Sequence, residues 1–262
     1  MKLLGGSIFV RDAIRLDYCL EAAIESLAPV CDEIVALDCE STDGTVDLLL
    51  ELERRHSHLR VYTGQPWEVG DNYVRLALHA NAAREKLDTH WHFMLQADEV
   101  LHEASHPIIR EAVTADGWGA TTFRVRRFNL YGDVDRCVKI DSTMKPCSDM
   151  PTRLAMTPYP AVGDAESIIE SDGRDMRLLN HITIVHYGFV RAGEALIDKT
   201  IEMQGWFHGK EATVDERVLK MRAEGSGFRY RDIIPDDELM TLPVSHPRFA
   251  QAWVDRHRGG GA

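Results

Sequence analysis

No two of the five cysteines form a C-x-x-C pair. Cys19, Cys31, Cys39, Cys137 and Cys147 are scattered and odd in number. This argues against a disulfide framework or a structural zinc site and suits a reducing cytoplasm. The chain also lacks any apolar run of about 18 residues, the length a membrane span needs, although peripheral attachment stays open. Met1 to Val10 is apolar but short for a signal peptide, and Arg11 and Asp12 follow at once. Positive charge is in deficit: 30 Lys and Arg against 42 Asp and Glu give a formal net charge of -12 over 262 residues. A diffuse nucleic-acid surface needs concentrated positive charge and is not expected. Internal repeats, low-complexity blocks and a G-x-G-x-x-G motif after the first strand are missing too, and the last omission argues against a dinucleotide oxidoreductase.

What is present is concentrated between Cys31 and Thr45, CDEIVALDCESTDGT. Ile34 to Leu37 is a short apolar run of the kind a parallel sheet buries on both faces. Asp38 stands at its end. Ser41, Thr42, Asp43 and Gly44 then form a polar turn that caps a helix from about Thr45. Ligands of α/β proteins bind at the carboxyl ends of parallel strands. A second strand, Trp91 to Leu95, ends in Gln96-Ala97-Asp98-Glu99.

Strands are predicted at Leu3–Val10, Glu33–Leu37, Leu59–Thr63 and Trp91–Leu95, with helices at Leu16–Leu27, Thr45–His56 and Tyr73–Leu87 between them. This alternation implies a parallel sheet with right-handed crossovers. Beyond residue 118 the pattern changes. Strands are predicted at Thr121–Phe128 and Ile182–His186, and helices at Ala195–Trp206 and Asp215–Ala223. The expected organisation is an α/β half at 1–118, a second half of the same domain at 119–192, a helical extension at 193–257 and a disordered tail at 258–262.

Acidic oxygens beside phosphate are what Mg²⁺ or Mn²⁺ takes, so Asp98 and Glu99 at a strand end suggest a metal next to a nucleotide. The plain alternative is a pair of solvated acids. His186 closes a strand and offers an imidazole to the ion, or is a packed histidine. Asp38 can accept from a base N–H or hold its own turn. Arg11 can meet a phosphate or the base, or stand exposed.

Together these segments resemble the inverting glycosyltransferases of family 2, which have the GT-A fold. The resemblance rests on Phe9-Val10-Arg11-Asp12, on Asp32 to Asp38 with Ser41 to Thr45, on Trp67 and Asn81-Ala82-Ala83, and on Phe93 to Glu99. Arg127 to Gly132, Arg153, Ala165-Glu166 and His186 to Arg191 match more thinly. The resemblance implies an α/β fold with a Rossmann-like, mostly parallel central sheet flanked by helices and a C-terminal helical extension. It implies nucleotide-sugar contacts from Val10, Arg11, Asp38, Asn81, Gln96, Ala97, Asp98 and Arg153, with Asp38 on the donor base. Asp98 and His186 are the implied ligands of Mn²⁺ or Mg²⁺. Glu166, or Asp164 if the register differs, is the implied catalytic base, and Arg153 or Arg191 adds charge at the diphosphate.

Two positions depart from the family pattern: Gln96 replaces an aspartate, and Ala165 a histidine. The processive-synthase motif QxxRW is missing, so one sugar is expected to move per reaction. The donor is then a nucleotide-diphosphate sugar, and the acceptor a glycan, a lipid-linked molecule or a small molecule. Trp206 and Phe207 would suit a homodimer contact, although packing anchors are the plainer reading. The rival is a catalytically degenerate relative that binds a sugar nucleotide or a protein partner, supported by Gln96 and Ala165.

Overall fold

A computed structural model describes residues 2–68, 74–144, 146–168, 176–191, 193–208 and 234–258. Four parallel strands form one block: β1 (Lys2–Val10), β2 (Glu33–Asp38), β3 (Leu59–Tyr62) and β4 (Thr89–Met94), in the order β4-β1-β2-β3. All six residues of β2 are buried, as its apolar run predicts for a strand covered on both faces. Helices α1 (Leu20–Leu27), α2 (Thr45–Arg55) and α3 (Arg75–Arg84) make the crossovers.

Helix α1 starts four residues later than its apolar spacing suggests. Residues 13–17 form turns, and Asp12 and Asp17 both have φ 50°. Leu16 is nonetheless buried: it supplies the expected apolar contact from a turn, so periodicity marked the buried side without marking the helix end. Helix α3 begins at Arg75, and Tyr73, expected within it, lies outside the described residues.

The second half departs from a mostly parallel sheet. Strand β8 (Thr152–Met156) lies antiparallel between β4 and β6 (Thr122–Tyr131), pairing Trp91 with Met156 and Phe123 with Leu154. Strand β11 (Met176–Phe189) runs parallel to β6 and antiparallel to the short β5 (Glu99–Leu101). Strand β7 (Arg136–Val138) joins β6 to β12 (Leu239–Thr241), antiparallel to both. The result is a ten-stranded mixed sheet. Parallel pairing is confined to the first block and to β6–β11; among the described residues no helix separates β6 from β7 or β7 from β8, as a parallel crossover requires. The expectation of a Rossmann-like, mostly parallel sheet is corrected accordingly.

The C-terminal part is not simply helical either. Helix α5 follows α4 (His106–Thr114) in chain order and spans Gly193–His208. Strand β12 then returns the chain to the sheet edge before α6 (Gln251–Arg258). Arg258, expected in a disordered tail, closes α6 and pairs with Asp135 at 2.7 Å. The predicted helix Asp215–Ala223 and the side chains of Trp206 and Phe207 lie outside the described residues. Among the described residues no helix is long and apolar enough to cross a membrane.

A small hairpin decides the geometry of the site. Strands β9 (Ala161–Val162) and β10 (Ser167–Ile168) pair antiparallel. Their turn, Gly163-Asp164-Ala165-Glu166, takes positive φ at Gly163 (59°) and Ala165 (60°). Asn81 on α3 clamps the hairpin at both backbone groups of Ala161: its Nδ2 donates to the carbonyl at 2.9 Å and its Oδ1 accepts the N–H at 2.8 Å.

Candidate active site

The carboxyl ends of β1, β2 and β4 align, with Val10 opposite Asp38 and Ser7 opposite Met94. A cleft opens beyond these ends, as the topology of a parallel sheet predicts. Phe9, Val10, Arg11 and Trp67 line one side, and Gln96, Ala97 and Asp98 the floor. The hairpin contributes Asp164 and Glu166, and β11 contributes His186 and Phe189. Helix α5 adds Lys199 and Met203. The structure therefore gathers Val10, Arg11, Gln96, Ala97, Asp98, Asp164, Glu166 and His186 around one cavity.

Three predicted contacts fall elsewhere. The Asp38 carboxylate is buried and receives the N–H of Ser41 at 3.3 Å, so it holds its own turn. Asn81 gives its amide to the hairpin backbone. Arg153 is fully buried behind the cleft. None of the three lines the cavity.

The loops around the cleft are stitched together by side chains that accept backbone N–H groups. Asp12 N–H donates to Ser41 Oγ at 2.8 Å, and Ala13 N–H to Thr45 Oγ1 at 2.7 Å. Asp43 accepts from Arg15 N–H at 2.6 Å and from the Thr45 hydroxyl at 2.6 Å. The Asp43-Gly44 pair thus shapes the turn, with Gly44 at φ 93°, a conformation that L side chains disfavour. Arg15 reaches across to Glu202 and Asp198 on α5 and ties that helix to the first loop.

Asp98 is the centre of charge. Its Oδ2 accepts from Lys199 Nζ at 2.8 Å and from Arg191 Nη2, and lies 3.6 Å from His186 Nε2. Burial alone pushes this carboxyl up, but Lys199, His186 and Arg191 outweigh it and hold it well below the usual range. Burial likewise keeps the His186 imidazole below its ordinary value. It also pushes Lys199 down to about 8, helped by Arg191 and opposed by Asp98. Gly188 permits this packing: a Cβ there would sit 2.4 Å from His186 Nε2. The other ring nitrogen of His186, Nδ1, is 3.0 Å from Asn129 Oδ1. Burial raises the nearby Cys147 thiol to about 12, so it is not a thiolate nucleophile near neutrality.

Asp98 and His186 were expected to hold Mn²⁺ or Mg²⁺. As arranged, this donor set does not fit a divalent ion. The described residues contain no cluster of three His, Cys, Asp or Glu able to hold one. The shared oxygen of Asp98 already carries an ammonium and a guanidinium, which repel a dication.

Glu99 faces away from the cleft. Its Oε1 accepts from Arg127 Nη1 at 2.9 Å and Arg153 Nη2 at 2.6 Å, and its Oε2 from Gln96 N–H at 3.0 Å. Arg127 also bonds Glu166 Oε1, which accepts the Ser148 N–H at 3.1 Å as well. Arg153 Nη1 donates to the carbonyls of Ala165 and Glu166, both at 3.0 Å. Arg127 and Arg153 therefore fix the hairpin turn, while Asp164, among the described residues, accepts only the Glu166 N–H, at 3.1 Å.

Lys199 is not among the residues that the sequence singles out. Its signal was present: on α5 it follows the buried Ala195 and Leu196 at helical spacing, a lysine on an apolar helix face.

No family model matches the chain, and no curated protein matches it. Among solved structures it resembles S. aureus TarS residues 1–349, at 12% identity and TM-score 0.48 over 90% of this chain and 76% of that one. The same protein in complex with UDP gives 12% and 0.47 over 91% and 77%. In complex with UDP-GlcNAc it gives 12% and 0.46 over 88% and 74%. The expected membership of family 2 with the GT-A fold is corrected: no family model places the chain there, and its sheet is mixed where a mostly parallel one was expected.

Proposed function

We propose that this chain moves a sugar from a nucleotide-diphosphate sugar to a hydroxyl of a glycan, lipid-linked or small-molecule acceptor. One observation carries the reading. A single cleft at the strand carboxyl ends has a buried cationic cluster on one wall and, on the hairpin, a carboxylate that no described Lys or Arg neutralises. The first suits a departing diphosphate and the second a reacting hydroxyl.

In the proposed inverting reaction the acceptor oxygen attacks the anomeric carbon as its proton passes to the base. The bond from that carbon to the diphosphate oxygen breaks, and the diphosphate leaves with the electron pair. Asp164 is the better-placed base. Glu166 has one oxygen committed to Arg127 and Ser148, which suits it to shaping the turn. Arg11, lying 5.2 Å over the Trp67 ring, is placed to meet the nucleotide.

The test compares Asp164→Asn with Glu166→Gln in a transfer assay that supplies several nucleotide sugars and mixed acceptors. Loss of a base is worth about 10²–10⁴-fold. A drop of that size in Asp164→Asn with nucleotide binding intact supports the assignment, and the same drop confined to Glu166→Gln moves the base there. The capture of Glu166 by Arg127 favours a second reading, a degenerate protein that binds a sugar nucleotide without transfer. Binding with no turnover of any donor would establish that reading instead.

A further inference from the structure

The cluster at Asp98 does not balance. Asp98 brings one negative charge, Lys199 and Arg191 bring two positive ones, and the two cations have no other described acid in contact. A buried group of three with one surplus positive charge is costly unless an anion completes it.

The hydrogen-bond inventory points the same way. A lysine ammonium has three donors. Lys199 spends one on Asp98 Oδ2 at 2.8 Å and one on the Gly188 carbonyl at 3.3 Å, which leaves one. Lys199 is 7% exposed, and the surface it keeps faces the cleft. Arg191 is placed differently. It donates to Leu16 O at 2.5 Å and lies 4.0 Å over the Tyr18 ring, and it does not line the cavity. It is a fixed charge behind a cation that can turn towards a ligand.

We propose that Lys199, backed by Arg191, receives the diphosphate of the donor where a divalent ion was expected, so that nucleotide binding by this chain needs no metal. Asp98 holds the two cations in place between ligands. The inference rests on the reading that the cleft binds a nucleotide diphosphate. It makes Lys199 a substrate-binding residue and gives α5, tied to the first loop through Arg15, a direct part in donor recognition.

Calorimetry separates the possibilities. UDP, GDP, dTDP, CDP and inorganic pyrophosphate are titrated into the full chain, once in EDTA and once with Mn²⁺. The same titrations are run on Lys199→Met, which keeps the apolar stem, and on Lys199→Arg, with thermal melting to confirm folding. The expected result is binding of at least one diphosphate in EDTA, within about threefold of its affinity with Mn²⁺. That binding weakens about tenfold or more in Lys199→Met and largely returns in Lys199→Arg, in line with about 1.4 kcal/mol per tenfold. Binding that appears only with Mn²⁺ overturns the inference and leaves the proposed function standing, an outcome the unaltered chain alone decides. Metal-free binding that a folded Lys199→Met retains in full overturns the role of Lys199. Failure of every diphosphate to bind under both conditions removes the inference and the proposed function together.

Discussion

Asp98 and Glu99 are neighbours in sequence and both are buried, yet they sit in opposite electrostatic settings. Glu99 shares a network with Glu166, Arg127 and Arg153, two carboxylates against two guanidiniums. Asp98 faces two cations alone. The turn at Gln96-Ala97 makes this possible: Asp98 points into the cleft and Glu99 into the sheet, where β5 meets β11. The balanced network has every charge answered within the protein, and it grips the backbone of the hairpin turn. The unbalanced one ends at the cavity wall with a donor to spare. A buried network that is complete acts as scaffold, and one that is incomplete marks where a ligand belongs.

The comparison breaks most severely at Glu99. In Glu99→Gln, Arg127 and Arg153 keep one counter-charge, Glu166, between them. Removing one partner of a buried ion pair costs about 3–5 kcal/mol, and urea unfolding should show a loss of that order. Because Arg153 holds Ala165 and Glu166 through their carbonyls, the hairpin should also loosen, read as faster amide exchange across 161–168. A variant as stable as the parent would show that the network contributes no stability and that the contrast with Asp98 is empty.

Asp98→Asn should cost less, about 1–3 kcal/mol, the penalty for weakening a buried hydrogen-bonded group. The amide keeps one acceptor, and the cleft lets water reach Lys199. The informative readout is pyrophosphate. If Asp98 is a counter-charge, the variant carries more surplus positive charge, and pyrophosphate should raise its melting temperature more than it raises the parent's. Loss of all diphosphate response in a folded Asp98→Asn would instead mark Asp98 as a direct ligand-binding group.

How much of this was legible in the sequence follows from what each residue's surroundings require. The parallel block could be read because β2 carries four consecutive apolar residues, Ile34 to Leu37, and needs both faces covered. Asp98 and His186 could be read because a strand end places them. The mixed second half could not: β7, β8 and β12 have three, five and three residues, too short for a periodic signal. Their partners are chosen by tertiary contact. Arg153 looks in sequence like a ligand-facing charge because sequence shows a residue's type but not the carboxylate that neutralises it, here Glu99. Asn81 is ambiguous in sequence for a related reason, since its amide suits a nucleotide as well as the backbone of Ala161. Lys199 escaped because its meaning depends on Asp98, 101 positions away.

A surface pair sets the lower end of the comparison. Asp32 accepts from Arg110 at 2.7 Å and from the N–H groups of Leu3 and Leu4 at 2.8 and 3.0 Å, with 29% of its side chain exposed. Burial pushes its carboxyl up, but Arg110 and the two backbone donors pull harder and leave it at about 2, below the ordinary 3.8. A depressed folded-state value means the stabilisation is fully present above the unfolded value near 3.8 and is lost as the pH falls through about 2. The shift alone corresponds to about 2 kcal/mol, which solvent screening at an exposed pair reduces to about 1 kcal/mol. Asp32→Asn should therefore be about 1 kcal/mol less stable than the parent at pH 7 in urea titrations. The gap should narrow to about half at pH 3 and shrink further towards pH 2, and moderate salt should narrow it at pH 7 as well. The difference at Glu99→Gln should resist salt, because its arginines lie in the interior. A gap at Asp32 that ignored both pH and salt would mean the side chain acts through packing, leaving charge out of the comparison at the surface.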